Sequence, residues 1–230
     1  MENMNKFILF LLISLNFHSI FFSATNTNTQ AQTARLCLAI DIPDDYQVAN
    51  VQKYLKNQAS KLLNKDIITL ASHPHTTLVF LGDTSINKIT KLTRLIEADI
   101  DSFKKANSIN NLNLAAGARL FPQNYIVLKY DKQSSVHIEN LLKKIIPNLV
   151  TNKFLTQTQA NSIYARFAPH ISLGILQNPN QADIDSLAKS LFAKINPPKL
   201  QIGQKGFTPK NITLYDTTDG GLKPIKTWNI

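Results

Sequence analysis

The sequence predicts an α+β fold built as two similar lobes with a cleft between them. Two observations carry this prediction. Helical and strand-like segments alternate along the chain in the order strand, helix, strand, helix, strands, helix, strand, helix, strands. A short pattern, His-x-Thr/Ser-Leu inside an apolar strand-like run, occurs once in each half, at His75-Thr76-Thr77-Leu78 and at His170-Ile171-Ser172-Leu173. Lobes of this kind place the two motif strands along the cleft.

Taken in order, residues 1–24 do not belong to the fold. Lys6 precedes the apolar run from Phe7 to Ile13, and that character continues to about Phe22, which describes a secretory signal or, if uncleaved, a membrane anchor. Residues 25–34 are a polar linker, and residues 35–230 form the folded domain. Leu36-Cys37-Leu38-Ala39-Ile40 is a continuous apolar strand buried on both faces. Val48, Val51, Tyr54, Leu55 and Leu62 fit a helix over 47–64. The first His motif is a strand over 75–81, ended by Gly82-Asp83-Thr84. Ile86, Ile89, Leu92, Leu95, Ile96, Ile100 and Phe103 mark a longer helix. Strands over 111–121 and 125–130 flank Pro122-Gln123-Asn124, and a helix from Val136 to Leu149 is interrupted near Pro147. Residues 151–164 are a polar loop, the second His motif is a strand over 166–176, and Ile184, Leu187, Leu191 and Phe192 mark the last helix, closed by Pro197-Pro198. Strands over 199–207, 211–216 and 223–229 complete the chain.

The chain has 230 residues, 43% hydrophobic and 17% charged, enough for one ordinary core and unlike a disordered polymer. Its formal charge of +10 favours an anionic partner. Arg35, Arg94, Arg119 and Arg166 are its only arginines, the better candidates for bidentate phosphate contacts. The lone Cys37 sits in an apolar run and reads as a buried structural thiol. No Cys/His spacing reads as a zinc site, and no metal or cofactor is expected.

In an extended chain the His and the hydroxyl two places on share a face. Two facing copies bring two imidazoles and two hydroxyls around one cavity. That set suits a phosphate: one His takes a proton, the other gives one, and Thr77 and Ser172 hold non-bridging oxygens. His73 lacks the paired hydroxyl and reads as a turn neighbour, while His18 and His137 read as bystanders. Tyr125 and Tyr164 are candidates for base stacking or for core packing. Lys143 and Lys144 read as a solvated helix face.

The segment Arg35-Leu36-Cys37-Leu38-Ala39-Ile40-Asp41-Ile42-Pro43, the two His motifs, Gly117-Ala118-Arg119-Leu120-Phe121-Pro122 with Ile126-Val127-Leu128, Arg166-Phe167-Ala168-Pro169 ahead of the second motif, and Leu214-Tyr215-Asp216 with Gly220-Gly221 and Trp228 together resemble the 2H phosphoesterase superfamily. Within it they resemble the bacterial RNA 2′,3′-cyclic phosphodiesterases, also called 2′-5′ RNA ligase-like proteins. The resemblance covers most of residues 35–230. It implies a bilobal fold of two pseudo-symmetric lobes of antiparallel sheet, with outer helices and a central cleft. It implies a metal-free site in which His75 and His170 are catalytic and Thr77 and Ser172 bind phosphate, with Arg119, Phe121 and Arg166 facing the substrate. The implied activity is hydrolysis of a 2′,3′-cyclic phosphate to a monoester, with reverse 2′-5′ ligation as its counterpart. The implied partners are RNA ends or small cyclic or 2′-5′-linked nucleotides, handled by a monomer. Two departures stand out: Gly174-Ile175 follows the second motif where many relatives carry Ala then Arg, and Lys129 stands where relatives often have Trp. The signal segment points to an exported protein, periplasmic or secreted, with a cytoplasmic one as the alternative. Export leaves room for another phosphodiester as substrate, and a catalytically silent oligonucleotide binder is the competing class.

Overall fold

The apolar run Leu36–Ile40 becomes the centre of the first sheet. It lies within β1 (Thr33–Asp41), and Leu36, Leu38 and Ile40 are fully buried, each worth roughly 1.5–3 kcal/mol of apolar burial. β1 pairs antiparallel with β3 (His75–Ser85) on one side and β7 (Asn211–Asp216) on the other, and β8 (Lys223–Asn229) extends the sheet beyond β7. A second antiparallel sheet orders β2 (Ile68–Leu70), β6 (His170–Leu176), β5 (Tyr125–Tyr130) and β4 (Leu114–Phe121). The structure is a computed structural model that describes residues 32–43, 48–106, 111–195 and 206–230. The expected signal segment, most of the polar linker, Pro197-Pro198 and most of the strand over 199–207 lie outside these residues. At the end of that last stretch, Phe207 bridges Leu112.

Five α-helices are described. α1 (Val48–Leu63) packs beside β2 and β6 together with α5 (Gln181–Ser190), whereas α2 (Ile89–Ala106) packs on α3 (Lys132–Thr151) and beside β8. α4 (Gln157–Arg166) lies against α3. Among the described residues no helix is long and apolar enough to cross a membrane. The two sheets with their helices give the expected α+β architecture, but the lobes are not successive halves of the chain. β1 closes its sheet with β7 from near the other end, and β2 closes the second with β6.

Several local expectations are corrected. Gly82 does not end its strand. It pairs with Leu36 at φ +68°, beside a bulge that skips Leu81, and the ladder continues through Arg35 and Asp83. Pro147 does not interrupt α3, which runs on to Thr151. The missing hydrogen bond and ring clash of an interior proline cost about 3 kcal/mol, and burial of Ile145, Ile146 and Leu149 on either side keeps the helix together. The polar stretch 151–164 is largely helical. Thr156 caps α4 by accepting from the Gln159 amide, and the Gln159 side chain accepts from the Thr156 amide (2.8 Å), a capping box. The helix therefore reaches Arg166, and the motif strand starts at His170.

The chain passes from the second sheet to the first through Ala71-Ser72-His73-Pro74, between β2 and β3. Buried Gln52 of α1 pins this crossover by donating to the carbonyls of Ala71 (2.7 Å) and Leu173 (2.9 Å). The Ala71 amide also donates to the Leu173 carbonyl (3.0 Å). A second tie joins the sheets: the hydroxyls of buried Thr76 on β3 and Tyr130 on β5 are 2.6 Å apart. Their chain neighbours His75 and Lys129 point the opposite way, so this bond lies directly beneath the cleft. Thr76→Val keeps the shape and removes the bond. It is expected to destabilise the protein by about 1–3 kcal/mol, read as a lower denaturant midpoint with an unchanged slope.

Candidate active site

Both His-motif strands open onto one cavity of about 520 Å³. Its walls include His75 and Thr77 from β3, His170 and Ser172 from β6, Phe121, Pro122 and Tyr125 from the β4–β5 hairpin, His73 from the crossover, and the Gly220-Gly221-Leu222 turn. Strand alternation explains the selection. His75 and Thr77 face the cavity while Thr76 and Leu78 are buried beneath it, and His170 and Ser172 repeat this above fully buried Ile171 and Leu173. The four residues singled out by the repeated motif thus meet in space.

The two imidazoles are held in the same way. His75 Nδ1 lies 2.8 Å from the carbonyl of His73, and His170 Nδ1 lies 2.7 Å from the carbonyl of Ala168. A carbonyl only accepts, so in each ring the Nδ1 hydrogen donates and Nε2 is left to a bound group. Burial pushes both imidazoles below the ordinary 6.5, against the opposing pull of these carbonyl bonds. Both are therefore mainly neutral near pH 7 in the empty cleft. Because their folded-state values lie below the unfolded one, the stability linked to them is present above pH 6.5 and fades as pH falls below it.

The surroundings break the symmetry of the motif. On the His75 side the Asp41 carboxylate favours the protonated ring, opposed by the neighbouring His73 and His170 rings, of which His73 weighs more than Asp41. On the His170 side the Lys129 ammonium disfavours it. Lys129 is the cross-strand partner of His170, and its Nζ sits 5.2 Å from the centre of the Phe121 ring. That ring in turn lies 4.6 Å from the His170 ring.

His73 has a place that its sequence context did not suggest. The Tyr215 hydroxyl donates to Asp41 Oδ1 (2.6 Å), and His73 Nε2 lies 3.0 Å from the same hydroxyl. With the tyrosine proton committed to Asp41, the His73 Nε2 hydrogen donates to the tyrosine oxygen. Thr213 donates to the other carboxylate oxygen (2.6 Å). His73 is thereby anchored through its ring, and its own carbonyl orients His75. Tyr215→Phe keeps the ring and removes the tether. It is expected to lower kcat about tenfold with little change in KM, since loss of aim rather than of binding is involved. Proton NMR of the His75 Nδ1 hydrogen checks it by weakening of that signal.

Not every sequence candidate reaches the wall. Arg119 lies on the cleft face of β4, but its Nη1 turns back to the Ala118 carbonyl (3.1 Å). Arg166 is exposed at the end of α4 and does not line the cavity. Tyr125 lines it, whereas Tyr164 lines a separate groove with Glu139, Leu142, Lys143 and Phe167, and His137 sits on α3. Cys37 is buried with its thiol 3.9 Å from the Thr77 hydroxyl, and burial raises that thiol to about 11. It is unreactive at neutral pH. Among the described residues no group of three or more His, Cys, Asp or Glu side chains is arranged to hold a metal ion.

No protein-family model and no curated protein matches the chain. Solved structures do match. E. coli LigT complexed with 3′-AMP aligns at a TM-score of 0.55 and 18% identity, over 86% of this chain and 99% of that one. Kluyveromyces marxianus Usb1 with uridine monophosphate aligns at 0.56 and 11%, over 87% and 99%. A structure described as a phosphoesterase aligns at 0.55 and 17%, over 86% and 99%. The likeness is one of fold: the chain shares the two-sheet α+β architecture of these solved structures.

Proposed function

We propose that this protein is a phosphodiesterase that hydrolyses 2′,3′-cyclic phosphates of RNA ends or nucleotides by paired-His acid–base catalysis. The observation that carries the reading is the convergence of two His-x-Thr/Ser pairs, from two sheets, on one cavity, with both imidazoles oriented alike through Nδ1. The solved structures of the same fold support a nucleotide substrate: E. coli LigT is complexed with 3′-AMP, ATP, NADP+ or phosphate in separate structures, and Usb1 with uridine monophosphate.

The reaction needs a base for water, an acid for the leaving ribose oxygen and donors for the phosphoryl oxygens. His170, kept neutral by Lys129, takes the proton of the attacking water at Nε2 as the water oxygen bonds to phosphorus. His75, which has the Asp41 carboxylate nearby to support its protonated form where His170 has the Lys129 ammonium, gives its Nε2 proton to the ribose oxygen as that P–O bond breaks. The hydroxyls of Thr77 and Ser172 donate to non-bridging oxygens, more strongly as charge builds in the transition state. Proton exchange with solvent then restores both rings. In the empty enzyme both rings lie below 6.5, whereas the monoanionic cyclic phosphate bound between them raises both. The kcat/KM profile is therefore expected to be bell-shaped with its maximum on the acid side of pH 6.5, and the kcat profile to be displaced to higher pH. A kcat/KM maximum well above pH 7 contradicts the assignment.

The direct test is incubation with adenosine 2′,3′-cyclic phosphate and with an RNA ending in a 2′,3′-cyclic phosphate. A phosphomonoester product supports the proposal. Tight binding of both without turnover favours the silent binder instead.

A further inference from the structure

The cleft face of the second sheet carries two cations that the scheme above does not use as phosphate ligands. β4, β5 and β6 lie side by side. Arg119 is opposite Val127, which is opposite Ser172, and in the next row Lys129 is opposite His170. Directly opposed residues share a face, so Arg119 and Lys129 lie on the same side of the sheet as the two site residues of β6. Alternation agrees: Ala118, Leu128 and Ile171, which point the other way, are buried in the core. Both cations are exposed, and among the described residues neither forms an ion pair with a carboxylate. Lys129 is not loose, because its ammonium rests on the Phe121 ring that also touches His170. Its charge is felt at His170. Arg119 folds back over Gly117 and commits one N–H to the Ala118 carbonyl, so its other donors reach a phosphate on the cleft face once the exposed side chain swings outward.

A phosphate held between the imidazoles thus has a second positive site beside it, on one side only. Resting on the proposed function, we propose that Lys129 and Arg119 form a second phosphate subsite, so that the preferred substrate is a nucleoside 2′,3′-cyclic phosphate carrying a phosphate on its 5′ oxygen, as at the 3′ end of an oligonucleotide. A free cyclic nucleoside phosphate leaves this subsite empty. Phe121, between the subsite and His170, spaces the two phosphates. A guanidinium suits such a subsite, because it is weakly hydrated and can bind two phosphate oxygens at once.

The test compares ligands with one and with two phosphates. Adenosine 3′-monophosphate and adenosine 3′,5′-bisphosphate are titrated calorimetrically into the wild-type protein, Lys129→Gln and Arg119→Gln. In parallel, kcat/KM is measured for adenosine 2′,3′-cyclic phosphate with and without a 5′-phosphate. The expected result is a preference of about tenfold or more for the two-phosphate ligand in each pair. Each substitution should remove most of that preference and weaken its dependence on salt. Equal affinity for the two ligands, or a preference that both variants retain, overturns the subsite. If neither substrate is hydrolysed but the bisphosphate preference persists and depends on Lys129 and Arg119, the subsite stands and the hydrolase reading falls.

Discussion

His75→Ala and His170→Ala are each expected to lower kcat by about 10²–10⁴ while leaving the protein folded. Each ring is only half-buried and lines an open cavity, so its loss leaves no sealed void. What is lost is a proton acceptor or donor at the scissile phosphate. The two groups act in one transition state, so the double variant is expected to fall little below the worse single one. The substrate separates the roles. A nitrophenyl phosphodiester has a leaving oxygen that needs no protonation, so His75→Ala is expected to recover most of its activity on that substrate, whereas His170→Ala, lacking the base, does not. The reverse pattern would exchange the acid and base assignments. Retention of wild-type kcat by either variant on the cyclic substrate would remove the paired-His mechanism.

The second large effect is on stability and arises at Gly174. A β-carbon there would meet the Thr69 carbonyl oxygen at 2.5 Å and the Leu70 Cα at 3.2 Å. These are backbone atoms of β2 and cannot swing aside as the tip of a side chain does. Gly174→Ala is therefore expected to push β2 off β6 and cost about 1–3 kcal/mol. For a domain of this size that lowers Tm by about 2–4 °C for each kcal/mol. The displacement also reaches the site, because β2 leads through Ala71 into His73, and the Gln52 and Ala71 bonds to Leu173 start one residue from Gly174. A rise in KM or fall in kcat is expected alongside the lower Tm. An unchanged Tm would mean that β2 is not seated as described. The departure noted after the second motif thus has a structural reason at its first position: glycine is what the approach of β2 permits.

Much of the fold and the centre of the site were legible in the sequence. Leu36–Ile40 is apolar at every position, and its strand is buried on both faces. His75/Thr77 and His170/Ser172 were legible because alternation is a local rule, and it placed each pair on one face without knowledge of the partner strand. α4 was not, since Ala160 is its only buried residue and apolar periodicity is therefore absent. The available sign was the Thr156/Gln159 capping box. β2 is three residues long and exists because β6 offers it an edge, which no local pattern records. Pro147 and Gly82 were read by their intrinsic preferences, and tertiary packing overrode the first while a bulge absorbed the second. The role of His73 is not legible locally, because it depends on Tyr215, 142 positions away, and on Asp41. The sequence pattern puts Arg166 at the start of the motif strand, whereas the helix over Gln157–Arg166 carries it to an exposed end. The closing of β1 on β7 likewise joins distant segments and fixes which strands make up each lobe.

The most direct measurement follows the phosphorus nucleus by NMR while the full chain, treated with excess chelator, acts on adenosine 2′,3′-cyclic phosphate. The account predicts steady loss of the cyclic phosphate resonance and growth of a single phosphomonoester resonance, 2′ or 3′, unchanged by chelator and abolished in His75→Ala and His170→Ala. Turnover that stops with chelator and returns with a divalent metal, or that survives in both variants, would contradict it.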